Sequence, residues 1–355
     1  MTEDRLNLPF VGIPSFLRSP VHTDLKNLDA DIAFLGVPSD EGSPWYPGAR
    51  MAPRVVREMS VRYAEYGAVQ SAAGIYDIDT DRHYLQYERR NQRIVDCGDV
   101  DILYTNPEGT FRNISDATSH ILQAGAIPVV FGGDHAISYG VVRAFEEPIS
   151  IVHFDAHLDY RPFVHGVEYA NGSPMLKIGK LPHIDRMVQV GTRSIRTSKA
   201  ALQESLDRGN AVVTVNRLRR DGLQSILREL PQGGKVYVSI DIDVLDLPLV
   251  PGCASAEPEG FGFEEMRQML FAIAQHSDVV GMDVVEINPM LDVRANNTSL
   301  LGAQLAIELV GRVVEQPAYL ARKGRPQPPQ ASPRSASDPV DAETAPHSLH
   351  TVRRI

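Results

Sequence analysis

The sequence predicts an α/β fold in which a parallel sheet is covered on both faces. Apolar runs of strand length recur along the chain, and they alternate with stretches of helical period. The strings that carry carboxylates and imidazoles stand directly behind such runs, as ligand-binding residues do in open parallel sheets. Taking the elements in order, residues 1–28 read as an irregular N-terminal arm. Ile32 to Val37 is the first expected strand, closed by Pro38 and a Gly/Ser/Pro-rich loop reaching Gly48. Pro53 suits the opening of a short helix over Val55 to Tyr63. Further strands are expected at 94–96, 127–131, 149–155, 187–190, 211–215, 235–241 and 279–285. Helical stretches are expected between them at 115–124, 137–145, 200–207, 218–230 and 263–275. A last helix is expected over 298–314, with Thr298 or Asn297 as its cap. One domain over 29–316 accommodates these elements. From Pro317 the composition turns to Pro, Gln, Ser, Arg and Ala with no apolar period. Residues 317–355 are therefore expected to be disordered or loosely packed, or to order against a neighbouring subunit.

The bulk properties exclude several classes. With 355 residues, 43% hydrophobic and 23% charged, the chain is long enough for one large α/β domain or two small ones. A net charge of −10 argues against nucleic acid and anionic membrane surfaces as partners. The two cysteines, Cys97 and Cys253, are too few and too scattered for a disulfide framework or a thiolate metal site. A reducing cytoplasm is the expected compartment. The acidic start, Met1 to Arg5, has no apolar stretch behind it, so no signal peptide is expected. No apolar run approaches the ~20 residues that span a bilayer.

Four strings carry the chemistry: Gly132-Gly-Asp-His135, Asp155-Ala-His-Leu-Asp159, Asp241-Ile-Asp243 and Glu286-Ile-Asn-Pro289. The i, i+2 and i+4 spacing of Asp155, His157 and Asp159 lets the three point one way from extended backbone, and Asp241 and Asp243 repeat it. Such carboxylate and imidazole donors suit manganese, nickel, cobalt or iron rather than a zinc–thiolate site. Four carboxylates crowded together would repel one another, and two divalent cations would offset them. Each string alone has a plainer explanation: a solvated loop, or a tight turn with Asp134 capping a helix. Their convergence behind successive strands favours a metal centre.

These strings resemble the ureohydrolase family, which includes arginase, agmatinase and guanidinobutyrase. Its pattern of GGDH, DAHxD, SxDxDxxD and ExNP stands here at 132–135, 155–159, 239–246 and 286–289, and its PGAR segment at 47–50. The resemblance covers residues 30 to 315 and implies a three-layer α/β/α sandwich of about eight mostly parallel strands. It implies one metal held by His135, Asp155, Asp159 and Asp241. A second would be held by His157, Asp155, Asp241 and Asp243, with a hydroxide bridging the pair. Two Mn²⁺ or Ni²⁺ ions per chain and a trimeric or hexameric homo- or hetero-oligomer also follow from it. Glu286 matches the glutamate that binds the substrate guanidinium, Asp159 would carry a proton to the leaving amine, and Ser255 matches a hydroxyl that contacts substrate. Trp45 or Tyr46, in a loop near the mouth in related proteins, would face the substrate cation, or else Trp45 would pack under its loop or at a subunit interface.

One departure stands out. Most hydrolases of the family carry His-Gly shortly after DAHxD, and this chain has Asn171-Gly172. Asn171 can hydrogen-bond substrate but cannot carry a proton near neutral pH. The shuttle is then dispensable, or His165 or His153 replaces it, or the chain is a weakly active supporting subunit. The segment after DAHLD lacks arginase's Ser-Gly-Asn pattern, which favours the agmatinase-like branch. Agmatine, guanidinobutyrate, guanidine itself or a biguanide such as metformin are the expected substrate types. Single-metal amide hydrolases related to histone deacetylases share the fold, but they would have no use for a ligand at His135.

Overall fold

The computed structural model describes residues 12–64, 74–78, 81–162 and 167–326. Its core is an eight-stranded, wholly parallel sheet. Among the described residues the strands are β1 (Ile32–Val37), β2 (Ile75–Asp77), β3 (Arg82–Tyr84), β4 (Ile94–Asp99), β5 (Ile127–Gly132), β6 (Ile149–Phe154), β7 (Ile184–Val190), β8 (Ala211–Val213), β9 (Lys235–Asp241) and β10 (Asp278–Val285). The large sheet runs β4-β1-β5-β10-β9-β6-β7-β8, while β2 and β3 form a small antiparallel pair apart from it. That pair was not foreseen, because Ile75-Tyr-Asp77 and Arg82-His-Tyr84 contain no apolar run.

Strand side chains alternate between the two faces. From β1, Ile32 and Phe34 enter one core, while Ala33, Leu35 and Val37 enter the other. The first core is roofed by the helices Ala52–Ser60, Val215–Asp221, Phe263–His276 and Asn297–Val313. The second is roofed by Pro107–Gln123, Ile137–Val142, Pro174–Ile178 and Lys199–Asp207. Both faces are thus covered, which is why the central strands read as unbroken apolar runs.

Several boundaries differ from expectation for identifiable reasons. The helix expected over 115–124 begins at Pro107, where the Asn106 side chain accepts the Gly109 N–H at 3.0 Å. The helix expected over 218–230 is broken into Val215–Asp221 and Gln224–Leu227 by Gly222, whose φ of +71° ends the first piece. Neither Thr298 nor Asn297 caps the last long helix. The Asp292 carboxylate reaches from the preceding loop and accepts the N–H groups of Thr298 and Ser299.

Both ends of the described chain are better anchored than their composition suggests. In the arm, Phe16 stacks on Phe34 with ring centres 4.2 Å apart. The Phe16 N–H donates to Asp96, which also receives the Arg57 guanidinium. At the other end, Pro317–Arg322 forms a helix that buries Tyr319 and Leu320. Arg325 then reaches Asp31 and Glu88 in ion pairs. The reading of 317 onward as loose is therefore corrected for 317–326. Two apolar side chains, with Arg322 paired to Asp278, Lys323 to Asp31 and Arg325 to Asp31 and Glu88, suffice to dock a segment that has no period. Residues 327–355 lie outside the described residues.

Candidate metal centre

Four strands end in the strings that carry chemistry, and these four are neighbours in the middle of the sheet. β5 leads into His135, β10 into Glu286, β9 into Asp241 and Asp243, and β6 into Asp155 to Asp159. Because the strands are parallel and about 4.8 Å apart, their carboxyl ends bring these side chains to one place. The exits are stitched together. Gly133 donates its N–H to the Val37 carbonyl, and Glu286 donates its N–H to the Gly133 carbonyl, both at 2.9 Å. A Cβ on Gly133 would run into the backbone of Ser39, so only glycine fits this crossing. Asp134 ties down the loop above, accepting the Gly42 N–H at 2.7 Å and the Ala136 N–H at 3.0 Å. Asp159 and Glu286 both hold left-handed backbone, with φ of +48° and +64°. That conformation costs about 1–3 kcal/mol for a residue with a Cβ, strain of the kind that collects at functional sites.

The six expected ligands converge. His135 Nδ1 lies 3.2 Å from Asp155 Oδ2, 3.0 Å from Asp159 Oδ2 and 3.3 Å from Asp241 Oδ2. His157 Nδ1 lies 3.2 Å from Asp155 Oδ1 and 3.0 Å from Asp243 Oδ2. Asp155 therefore faces both imidazoles, one oxygen to each. His135 Nδ1 is buried and, despite three carboxylates close by, makes no hydrogen bond. Donor atoms spaced about 3 Å apart around an unused ring nitrogen are what an octahedral shell of ~2.1 Å bonds requires. The carboxylates of this set are also held by the protein. Asp155 accepts from His153 Nε2 at 2.9 Å, Asp241 from the Asp243 N–H at 2.9 Å, and Asp243 from the Ala156 N–H at 2.9 Å.

The electrostatics agree with a cation site. Burial opposes charge on His135, but Asp155, Asp159 and Asp241 outweigh it and raise its pKa well above the ordinary value. Burial likewise opposes charge on His157, and Asp243 and Asp155 push it up to about 12. Burial, with the neighbouring charges of Asp243 and Asp155, raises Asp241 well above the carboxylate range. The cluster thus has more negative charge than its imidazoles can balance, and the donor set fits two divalent cations. The Cys253 thiol shares the corner of Asp241 and Asp243. Burial raises its pKa and keeps it neutral, so it is a poor ligand.

A hydrogen-bonded chain behind His135 sets its tautomer, and only part of it was visible in the motifs. Tyr237 OH and Ser239 Oγ donate to the two oxygens of Asp283, and His135 Nε2 lies 3.0 Å from Ser239 Oγ. With the serine hydroxyl committed to Asp283, Nε2 must be the donor, which leaves the Nδ1 lone pair facing the cage. The sequence did hold a signal, since Asp283 is the sole charge within the apolar strand 279–285. Asp283→Asn would let the amide donate to Ser239 and turn the hydroxyl around, placing a proton on Nδ1. We expect metal affinity to fall about 10–100-fold, measured by chelator competition. Unchanged affinity would remove this chain from the account of the site.

The substrate side is a cavity of about 170 Å³ lined by Trp45, Asp159, Asn171, Ser255 and Glu286 among others. Glu286 is buried, and its Oε1 accepts the His135 N–H at 2.9 Å and the Asn171 amide at 3.1 Å. Burial pushes its carboxyl up to about 7 against the pull of the His135 N–H. Trp45 is 63% exposed at the rim, edge-on to Tyr46, and so is not packed under its loop within this chain. Ser255 borders the cavity, but its hydroxyl donates to Asp243 at 3.0 Å, steadying that carboxylate. His165 falls outside the described residues. His153 is not a replacement shuttle, because it is wholly buried between Asp155 and Gln189 and cannot reach substrate. Arg193 was missed altogether. Its guanidinium donates to the carbonyls of Asp243, Leu245 and Glu257 and clamps the loop after β9.

Comparison with known proteins agrees with this geometry. Residues 30–311 match the arginase family. The mitochondrial agmatinase of Gallus gallus is 33% identical over 309 residues, covering 84% of this chain and 85% of that protein. The mitochondrial guanidino acid hydrolase of Homo sapiens is also 33% identical, covering 84% of this chain and 82% of that one. The solved proclavaminate amidino hydrolase of Streptomyces clavuligerus superposes with a TM-score of 0.73 at 27% identity, covering 86% of this chain and 98% of that chain. With the central-strand motifs, these matches establish that the chain belongs to the arginase family of ureohydrolases, enzymes that cleave amidino C–N bonds.

Proposed function

We propose that this protein is a dinuclear-metal amidinohydrolase that converts a small guanidine-type substrate into urea, or a substituted urea, and an amine. The observation that carries the reading is His135 Nδ1, buried and unbonded amid three carboxylates. Two divalent cations, Mn²⁺ or Ni²⁺, would be held by the two ligand sets that share Asp155 and Asp241. When bound, they supply a nucleophilic water at neutral pH. The protein's own groups do the rest. Glu286 accepts N–H bonds from the guanidinium and orients its carbon, while the Asn171 amide keeps Glu286 in place. Asp159, at the edge of the cluster, carries a proton to the departing amine. Ser255 steadies Asp243, and Trp45 offers its ring face to the cation at the rim. Membership of the agmatinase-like branch, with guanidinobutyrate as well as agmatine among its candidate substrates, is part of the proposal, as are a cytoplasmic location and assembly as a trimer or hexamer. The free, buried thiols of Cys97 and Cys253 suit a reducing compartment.

The test is urea and amine release from a panel of guanidines after separate Mn²⁺ and Ni²⁺ loading, with metal counted per chain. No turnover at full metal occupancy would overturn the reading. Asn171, in place of the expected histidine, favours one other reading: a guanidine or biguanide hydrolase that works as one subunit of a heteromer. Turnover appearing only with a second gene product would support that instead. Asn171→His is expected to leave metal content unchanged and to add a limb near pH 6–7 to the pH–rate profile, since imidazole titrates there. Loss of metal in this variant would place the loop inside the ligand shell.

A further inference from the structure

The cavity wall beyond the metal ligands carries two arginines that the reaction itself does not require. Arg161 follows the Asp159 segment, and its N–H donates to the Gly172 carbonyl at 3.0 Å. Its stem lies over Gly172, where an added Cβ would meet Arg161 Cδ at 3.4 Å. The side chain is thus laid across the Asn171–Gly172 turn into the cavity lining. Among the described residues its guanidinium has no carboxylate partner. Arg196 lines the same cavity. It shares Glu257 Oε1 through Nε and Nη2, each at 3.1 Å, and sets Nη2 2.6 Å from His157 Nε2. Coordination through His157 Nδ1 requires the proton on Nε2. Nε2 then faces Glu257 Oε1, 3.5 Å away, as a donor and no longer accepts from Arg196. One Arg196 contact is therefore given up, and its guanidinium is left with donors to spare.

We propose that Arg161 and Arg196 form an anion-recognising wall, so that the enzyme selects guanidino compounds ending in a carboxylate over those ending in an amine. The inference rests on the guanidine-hydrolase reading and names the substrate class of the same site. Two guanidinium groups against the single carboxylate of Glu257 leave this wall with positive charge. An ammonium tail would meet like charge there, whereas a carboxylate could receive paired N–H bonds. The charge at the guanidine end is unaffected, because Glu286 and the metal ligands occupy the opposite role.

The experiment uses metal-loaded full-length protein with 4-guanidinobutyrate, agmatine and methylguanidine, reading binding by calorimetry and urea release in parallel. We expect 4-guanidinobutyrate to bind about tenfold or more tightly than agmatine, the scale of one charge-assisted hydrogen bond. In Arg161→Gln and Arg196→Gln, KM for 4-guanidinobutyrate should rise. Its kcat/KM relative to methylguanidine should fall about tenfold. Agmatine binding as tightly as the carboxylate, or a ratio unchanged in both variants, would overturn the proposal. Carboxylate preference in binding without urea from any compound would uphold the wall and overturn the hydrolase reading. Urea from methylguanidine without carboxylate preference would do the reverse.

Discussion

Asp241→Ala is expected to empty the metal centre and reduce turnover by more than about 10³-fold, because it removes a ligand shared by both proposed ion sets. Asp241 ends β9 in the middle of the sheet, and its two oxygens do separate jobs. Oδ2 faces His135 Nδ1 at 3.3 Å, and Oδ1 accepts the Asp243 N–H at 2.9 Å. The alanine variant loses a donor to the cations and also releases the turn that aims Asp243. The fold itself should survive, since removing one of several crowded carboxylates relieves repulsion. Metal analysis after gel filtration, together with far-ultraviolet circular dichroism, separates these effects. A folded variant that keeps two metals per chain would show that Asp241 is not a ligand.

Glu286→Gln is expected to have the second largest effect and to act differently. Glutamine keeps an acceptor for the His135 N–H and fills the same space, so metal content should not change. What disappears is the negative charge opposite the substrate guanidinium. Truncating one member of a buried, hydrogen-bonded charge pair costs about 2–5 kcal/mol, or roughly 30-fold to several thousand-fold in kcat/KM. Steady-state kinetics on metal-counted protein would check this. A variant within a few-fold of the parent would mean that the guanidinium is held elsewhere in the cavity.

The features legible in the sequence were those in which local pattern and tertiary role coincide. β1 and β9 matched their expected bounds because every residue in them is buried or nearly so, and an apolar run reports that directly. The convergence of the candidate ligands was legible because each motif lies at a strand end, so the topology needed no guess about loops. The supports were less visible. Ser239 stood in a recognised motif, but its bond to Asp283 depends on how β9 registers against β10, which pattern does not reveal. Arg161 and Arg196 come from loops after different strands, and nothing in their spacing announces that they share a cavity. The tail failed for a physical reason too. Docking by Tyr319 and Arg325 relies on a pocket made by Asp31 and Glu88, far away in sequence.

The placement of the four motif strands bears on how the enzyme should come apart. β8 is a three-residue strand at one margin of the sheet, and β4 lies at the other, whereas β5, β10, β9 and β6 each have a partner on both sides. Opening should begin at the margins, where backbone bonds are fewest, and reach the middle last. Amide exchange should then form a gradient, fast at 211–213 and slowest at 236–240 and 282–285. Warming should fray the rim of the molecule while catalysis continues, so that loss of activity marks the collapse of the whole sheet.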